Sequence, residues 1–157
     1  MTREADTVTL LSFELSGRRF ALTSTVVREI VRAVSMAPLP KAPPIIEGVI
    51  NVRGTLVPVL DIRQRFGLPA VPLSASDHLI LAAAGLRIVA IRVDQATGLV
   101  TVPEEDIDSA EARVPGAELV AGIARLPDGA LVIHDLERFL SLDEGNATTA
   151  ALAEAGK

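Results

Sequence analysis

Apolar and polar residues alternate from Leu11 to Leu15, with Ser12 and Glu14 at the polar positions; Ser16-Gly17 breaks the run and Phe20 and Leu22 resume it. Alternation on both sides of a glycine turn predicts a β-hairpin. Ser24 or Thr25 then precedes Val26, Val27, Ile30 and Val31, a spacing that predicts a short helix with one apolar stripe and an extended exit. Pro38, Pro40, Pro43 and Pro44 forbid helix or central strand and set a stiff extended loop. The apolar run from Val49 to Leu60 is interrupted by Arg53-Gly54, as a second hairpin would be. Asp61 is placed to cap a short helix in which Ile62 and Phe66 share a face, ended by Gly67 and Pro69.

Leu68 to Ser76 is a Pro, Ser and Ala linker without periodicity. Leu79 to Ala83, Ala84-Gly85 and Leu86 to Val93 then give the strongest hairpin signal in the chain, and the second arm is largely apolar on both faces, which predicts a strand buried on two sides. Pro103 to Pro115 carries Glu104, Glu105, Asp106, Asp108 and Glu111 and reads as a solvated acidic loop anchored by Ile107. Gly122 to His134 repeats the hairpin pattern around Pro127-Asp128-Gly129, and from Asp143 onward Gly, Asn, Thr and Ala dominate.

One correspondence organises these elements. Gly48-Val49-Ile50 leads through a Gly54 turn and Val57-Pro58-Val59-Leu60 to Asp61 and a helix containing Phe66. Gly122-Ile123 leads through a Gly129 turn and Leu131-Val132-Ile133-His134 to Asp135 and a helix containing Phe139. The Asp follows the Gly at the same distance in both, and each copy is preceded by a glycine-turn hairpin, at Gly17 and at Gly85. Two similar small β-units packed into one body are expected.

Composition narrows the function. A chain of 157 residues, 49% hydrophobic, has ample material for a packed core. Its 15 Lys and Arg against 20 Asp and Glu leave a charge of −5, so it offers no general cationic field to a nucleic acid. Four Phe are its only aromatics, too few for base-stacking platforms, and the lack of Cys removes disulfides, thiolate metal sites and cysteine nucleophiles. Apolar stretches fall short of the roughly 20 residues of a membrane span, and Met1 to Asp6 carries Arg3, Glu4 and Asp6 rather than a leader's apolar core. A cytoplasmic protein is expected.

Candidate chemistry is sparse. His78 follows Asp77 and His134 precedes Asp135, but neighbours on a strand point to opposite faces, so neither pair is set for a side-chain hydrogen bond. Two histidines without cysteine make a poor metal set, and both read better as strand-end residues than as an enzyme's catalytic pair. No nucleophile elbow and no phosphate loop is present; Gly48 and Gly54 are not followed by Lys-Ser or Lys-Thr. Neither a cofactor nor a metal is expected.

The unusual segment is Asn51-Val52-Arg53-Gly54-Thr55-Leu56-Val57-Pro58, where Asn and Arg flank a turn that needs neither and Pro58 marks an edge or a bulge. As a plain hairpin tip it would be merely solvated. Yet Gly48 to Arg63, GVINVRGTLVPVLDIR, resembles the signature of the CheW family, adaptors that couple chemoreceptors to the histidine kinase CheA. Val27-Arg28-Glu29-Ile30 resembles that family's V-x-E-I element, Val93-Asp94 with Gly98-Leu99-Val100 its central V-D segment, and Gly122 to Leu140 its closing hairpin and helix.

The resemblance implies an all-β fold of two SH3-like five-stranded barrels sharing a hydrophobic interface, with short helices, in a single domain over 8–142 flanked by flexible tails at 1–7 and 143–157. It implies no catalysis. The partners it implies are the regulatory domain of a CheA-type kinase, the cytoplasmic hairpin tip of a chemoreceptor, and other CheW-like domains, in an array at the membrane that the chain joins without inserting. Carried over by motif, Asn51 and Arg53 belong to the signalling surface and Val27, Glu29 and Ile30 to a partner-binding face. Gly48, Gly54, Pro58, Asp61, Asp94 and Gly122 belong to the framework that shapes them. His134 departs from the family's usual apolar or neutral residue before the Asp. Flagellar chemotaxis or another output, and a principal or an accessory adaptor, stay open, as do the more distant alternatives of a small-ligand β-barrel and an enzyme built on His78 and His134. No receiver domain is expected after Leu142.

Overall fold

The computed structural model describes residues 6–108 and 120–136. Within them the chain forms eleven strands: β1 (Thr7–Leu15), β2 (Arg18–Thr23), β3 (Val27–Arg32), β4 (Ile46–Val52), β5 (Thr55–Leu60), β6 (His78–Ala84), β7 (Arg87–Val93), β8 (Gln95–Pro103), β9 (Ile107–Asp108), β10 (Val120–Leu126) and β11 (Gly129–His134). They build two sheets, one ordered β8-β1-β2-β11-β10-β9 and the other β3-β6-β7-β5-β4. Each is a small SH3-like barrel, the first carrying the two-residue β9 as an extra edge.

The duplication seen in the sequence is a duplication in space. Hairpin β1–β2 corresponds to β6–β7, and β4–β5 to β10–β11. Each pair of hairpins is joined by a two-residue parallel ladder, Val59–Ala90 and Leu60–Ile91 in one barrel, Val132–Phe20 and Ile133–Ala21 in the other. The strand that follows each first hairpin crosses over: β3 leaves β2 to pair with β6, and β8 leaves β7 to pair with β1.

Packing follows from strand alternation. One face of each sheet fills its own barrel, with Leu10, Ala21, Val102, Ala124, Leu131 and Ile133 in the first and Ile50, Val57, Val59, Leu79, Leu81 and Ala90 in the second. The other faces meet in a larger cluster that draws on both sheets, including Phe13, Phe20, Leu60, Ile80, Val89, Ile91 and Val93. From Val89 to Val93 strand β7 therefore has no solvent face, every residue there being buried. Burying apolar surface at about 25 cal/mol per Å² makes this two-sided strand the centre of the fold's stability.

Several expectations change. Val27 to Arg32 is strand, and the helix expected after Ser24 is only a 3-10 turn, Ser24–Val26, because β-branched valines favour the pleated pairing with β6. The helix after Asp61 shrinks to a 3-10 turn, Gln64–Phe66, ended as expected by Gly67 in the left-handed conformation. Asp61 does not cap it, since its Oδ1 accepts from the amide of Arg63 at 3.0 Å before the turn begins. Leu86 sits in the β6–β7 turn rather than in β7. Thr7, expected in the tail, opens β1 opposite Pro103. Pro58 lies on neither an edge strand nor a bulge. It faces Val49, whose N–H and C=O are both bonded to Ala37, so no ladder bond to β4 is lost at the proline. The expected helix around Phe139, the rest of the acidic stretch and the segment 143–157 lie outside the described residues.

Candidate functional site

The β4–β5 turn has only two residues, Arg53 and Gly54, at φ of 49° and 88°. Positive φ at both is the backbone that matches hairpin twist, and Gly54 adopts it freely. Arg53 is held there by its surroundings. Asn51 Oδ1 accepts the Gly54 N–H at 2.8 Å, clamping the turn, and the Arg53 guanidinium reaches back to Glu29 on β3, with Nη1 3.3 Å from Oε1 and Nη2 2.6 Å from Oε2. The paired arginine holds the Glu29 carboxyl below the usual carboxylate range, and the guanidinium's own pKa is raised in turn.

Strands β3 and β4 are the two ends of their sheet, so this ion pair fastens the barrel's open edges together. Beside it lies a groove of about 330 Å³ with Val52, Val57, Leu81 and Ile88 as its apolar lining and Arg28, Glu29 and Arg53 at its charged rim. Leu86 is wholly exposed in the turn of the β6–β7 hairpin, while Leu56, between Thr55 and Val57, lies on the opposite face of β5.

Strand β3 divides the three residues expected on one face. Glu29 pairs with Leu81, which faces the interior of its barrel, whereas Ile30 pairs with Ile80 and Val27 with Ala82, both in the shared cluster. A bulge between Val27 and Glu29 absorbs one residue and keeps Val27 and Ile30 on the same side. Glu29 thus joins Arg53 at the groove, Asn51 clamping the turn from outside its lining, while half-buried Val27 packs on the shared core and Ile30 stays exposed.

A buried ionic network lies outside the groove's lining and has little local signature. Arg92, fully buried on β7, donates to Glu47 at 2.7 and 2.6 Å, to Asp77 at 2.9 Å, to Asp61 at 3.3 Å and to the carbonyl of Val71 at 2.7 Å. Hydrogen bonding to Glu47 raises its pKa further against the cost of burial. Asp61 also binds Arg63, equally buried, which contacts Asp94 at the crossover from β7 to β8. Asp94 in turn accepts the Ser16 amide at 2.7 Å, carrying the chain of contacts from one barrel into the turn of the other. Asp61 and Asp94, expected as framework residues, are the links of this network. Arg92, set among the apolar residues of a strand predicted to be buried on both faces, was its signal.

Three comparisons with known proteins bear on this arrangement. A family model described as the CheW-like domain matches residues 9–144. The chain belongs to the CheW-like family. This CheW-like protein is 26% identical over 141 residues to the chemotaxis protein CheW of Treponema pallidum, covering 86% of this chain and 83% of that one. With the CheW of Bacillus subtilis it shares 34% over 101 residues, 64% of this chain and 65% of that protein. The crystal structure of the scaffolding protein TtCheW from Thermoanaerobacter tengcongensis superposes with a TM-score of 0.79 at 26% identity, over 87% of this chain and 94% of that one.

In this CheW-like protein the histidines have structural surroundings. His78 Nδ1 accepts the Ala96 amide at 3.0 Å, tying β6 to β8 and so one barrel to the other. His134 is buried with its ring edge-on to Phe66, centroids 5.6 Å apart, and burial pushes its imidazole down to about 3. Among the described residues no group of three or more His, Asp or Glu is placed to hold a metal ion, and no helix is long and apolar enough to cross a membrane.

Proposed function

We propose that this protein is a non-catalytic adaptor that couples chemoreceptors to a CheA-type histidine kinase in a bacterial chemosensory array. The observation that carries the reading is the groove at the Glu29–Arg53 pair, where two motif elements that resemble family signatures meet over an apolar floor. A helical hairpin docks by inserting apolar side chains into such a groove, while fixed charges set its orientation. Arg53 supplies a planar fork for carbonyls or carboxylates, and Val52, Val57, Leu81 and Ile88 supply apolar contact. The names of the relatives, chemotaxis and scaffolding proteins, agree with it. Acting through such an array, the protein works in the cytoplasm beside the membrane, joined to the kinase's regulatory domain, the receptor tip and neighbouring CheW-like domains.

The test is a reconstitution of the chain with kinase and receptor cytoplasmic fragments from the same genome. Receptor-dependent control of kinase autophosphorylation that requires this protein supports the reading. Kinase activity that ignores the chain at saturating concentration, or covalent labelling of the chain by ATP, overturns it.

A further inference from the structure

The first barrel has a second groove that the adaptor reading does not use. Its strands β2 and β11 run parallel but are paired only at Phe20–Val132 and Ala21–Ile133. Toward Arg18 and Ala130 they part, and a groove of about 440 Å³ opens between them. Its floor is Phe20, Phe66, Val120 and Val132, an outlying face of the shared core stiffened by Phe20 and Phe66 with ring centroids 4.9 Å apart.

Two features set its character. In the duplicated barrel the position of Ala130 is taken by Leu56, so a small residue helps leave this seam hollow. Arg18 and Arg19 stand at the rim of a protein whose net charge is −5. Arg19 is paired with Asp128 at 3.0 Å, and exposed Arg18 shares the Phe20 face of β2 by strand alternation. None of these residues lines the groove at Glu29 and Arg53.

We propose that this groove binds an extended acidic-apolar peptide segment of a partner protein. An apolar side chain fills the space over Phe20 and Phe66, and a neighbouring carboxylate pairs with Arg18. The parted strands offer main-chain groups to an extended chain, a feature that a compact small molecule would not exploit. The volume falls within the range of roughly 300–1,000 Å³ usual for binding sites.

The experiment titrates the full-length ¹⁵N-labelled protein with the peptide acetyl-Gly-Asp-Phe-Asp-Gly-amide, with its Lys-Phe-Lys counterpart and with 3-phenylpropionate. Amide shifts from the acidic peptide are expected at Gly17 to Phe20 and Ala130 to Val132. The lysine peptide and the Arg18→Glu variant should each bind at least about tenfold more weakly. Ala130→Leu, which fills the groove, should abolish the shifts while the rest of the spectrum is kept. Shifts elsewhere or none, equal binding of the lysine peptide, or 3-phenylpropionate binding as tightly as the peptide would each overturn the proposal.

Discussion

Gly48 and Gly122 hold the same place in the two barrels, each at a bulge where a third segment crosses the hairpin too closely for a side chain. A Cβ on Gly48 would lie 2.7 Å from the Ala37 carbonyl oxygen and 2.8 Å from Met36 Cβ. On Gly122 it would lie 2.9 Å from the Ile107 side chain and 3.0 Å from the Asp108 oxygen. Overpacking of this kind costs about 1–3 kcal/mol. Gly48→Ala is expected to be the more damaging, because Ala37 is fixed by two backbone bonds to Val49 whereas Ile107 can turn aside. Urea midpoints of the two variants check the order; an unchanged Gly48→Ala midpoint would show that the crossing segment is not held as described.

Arg92 neutralises three carboxylates, and Arg92→Met leaves Glu47, Asp61 and Asp77 facing one another. Removing one member of a buried ionic set costs about 3–5 kcal/mol, a large part of a small domain's stability. Glu47→Gln should cost less, since Glu47 is partly exposed and its amide still accepts one bond. Chemical denaturation measures both. Arg92→Met as stable as the parent would mean that hydrophobic replacement compensates for the network.

His134 makes acid stability a separate prediction. Folding holds its pKa near 3, whereas in the unfolded chain it titrates near 6.5. Below pH 6.5 the unfolded state therefore takes up a proton that the native state refuses. Stability falls as pH drops from 6.5 toward 3, by up to about 1.4 kcal/mol per unit, and this group has no effect above neutral pH. Comparing urea midpoints of parent and His134→Leu at pH 7, 6 and 5 isolates the effect, with the steeper loss in the parent. Parallel curves would place the imidazole in contact with water.

The hairpins were legible because glycine turns punctuate clean alternation, and the shared interface because Val89, Ile91 and Val93 are apolar on the face opposite Ala90. Strand β3 was misread for a local reason. Its bulge breaks the period of two just where Val26, Val27, Ile30 and Val31 imitate a helical stripe. Asn51 and Arg53 stood out in the motif, but their contacts did not. The Glu29–Arg53 pair joins strands at opposite ends of a sheet, and no local pattern shows which carboxylate an arginine will find. The same holds for Arg92, whose burial the pattern announced and whose partners only the fold assembles.

Arg53 carries the last prediction. Its side chain is 73% exposed, and an exposed ion pair adds little to stability, so Arg53→Ala should melt like the parent. Alanine keeps the positive φ of the turn at a strain similar to arginine's, so the backbone gains nothing either; Arg53→Gly would relieve that strain and should melt no lower. If the guanidinium orients a docked partner, both variants lose receptor control of the kinase while remaining folded. Arg53→Lys keeps the charge without the two-point fork to Glu29 and should restore coupling only in part. Glu29→Gln separates the two roles the pair could play. It frees Arg53 from its intramolecular partner without removing it from the groove, so it should retain more coupling than Arg53→Ala. Equal loss in both variants would show that the pair acts by fastening β3 to the β4–β5 turn, and normal coupling in Arg53→Ala would leave Arg53 as a solvated hairpin tip.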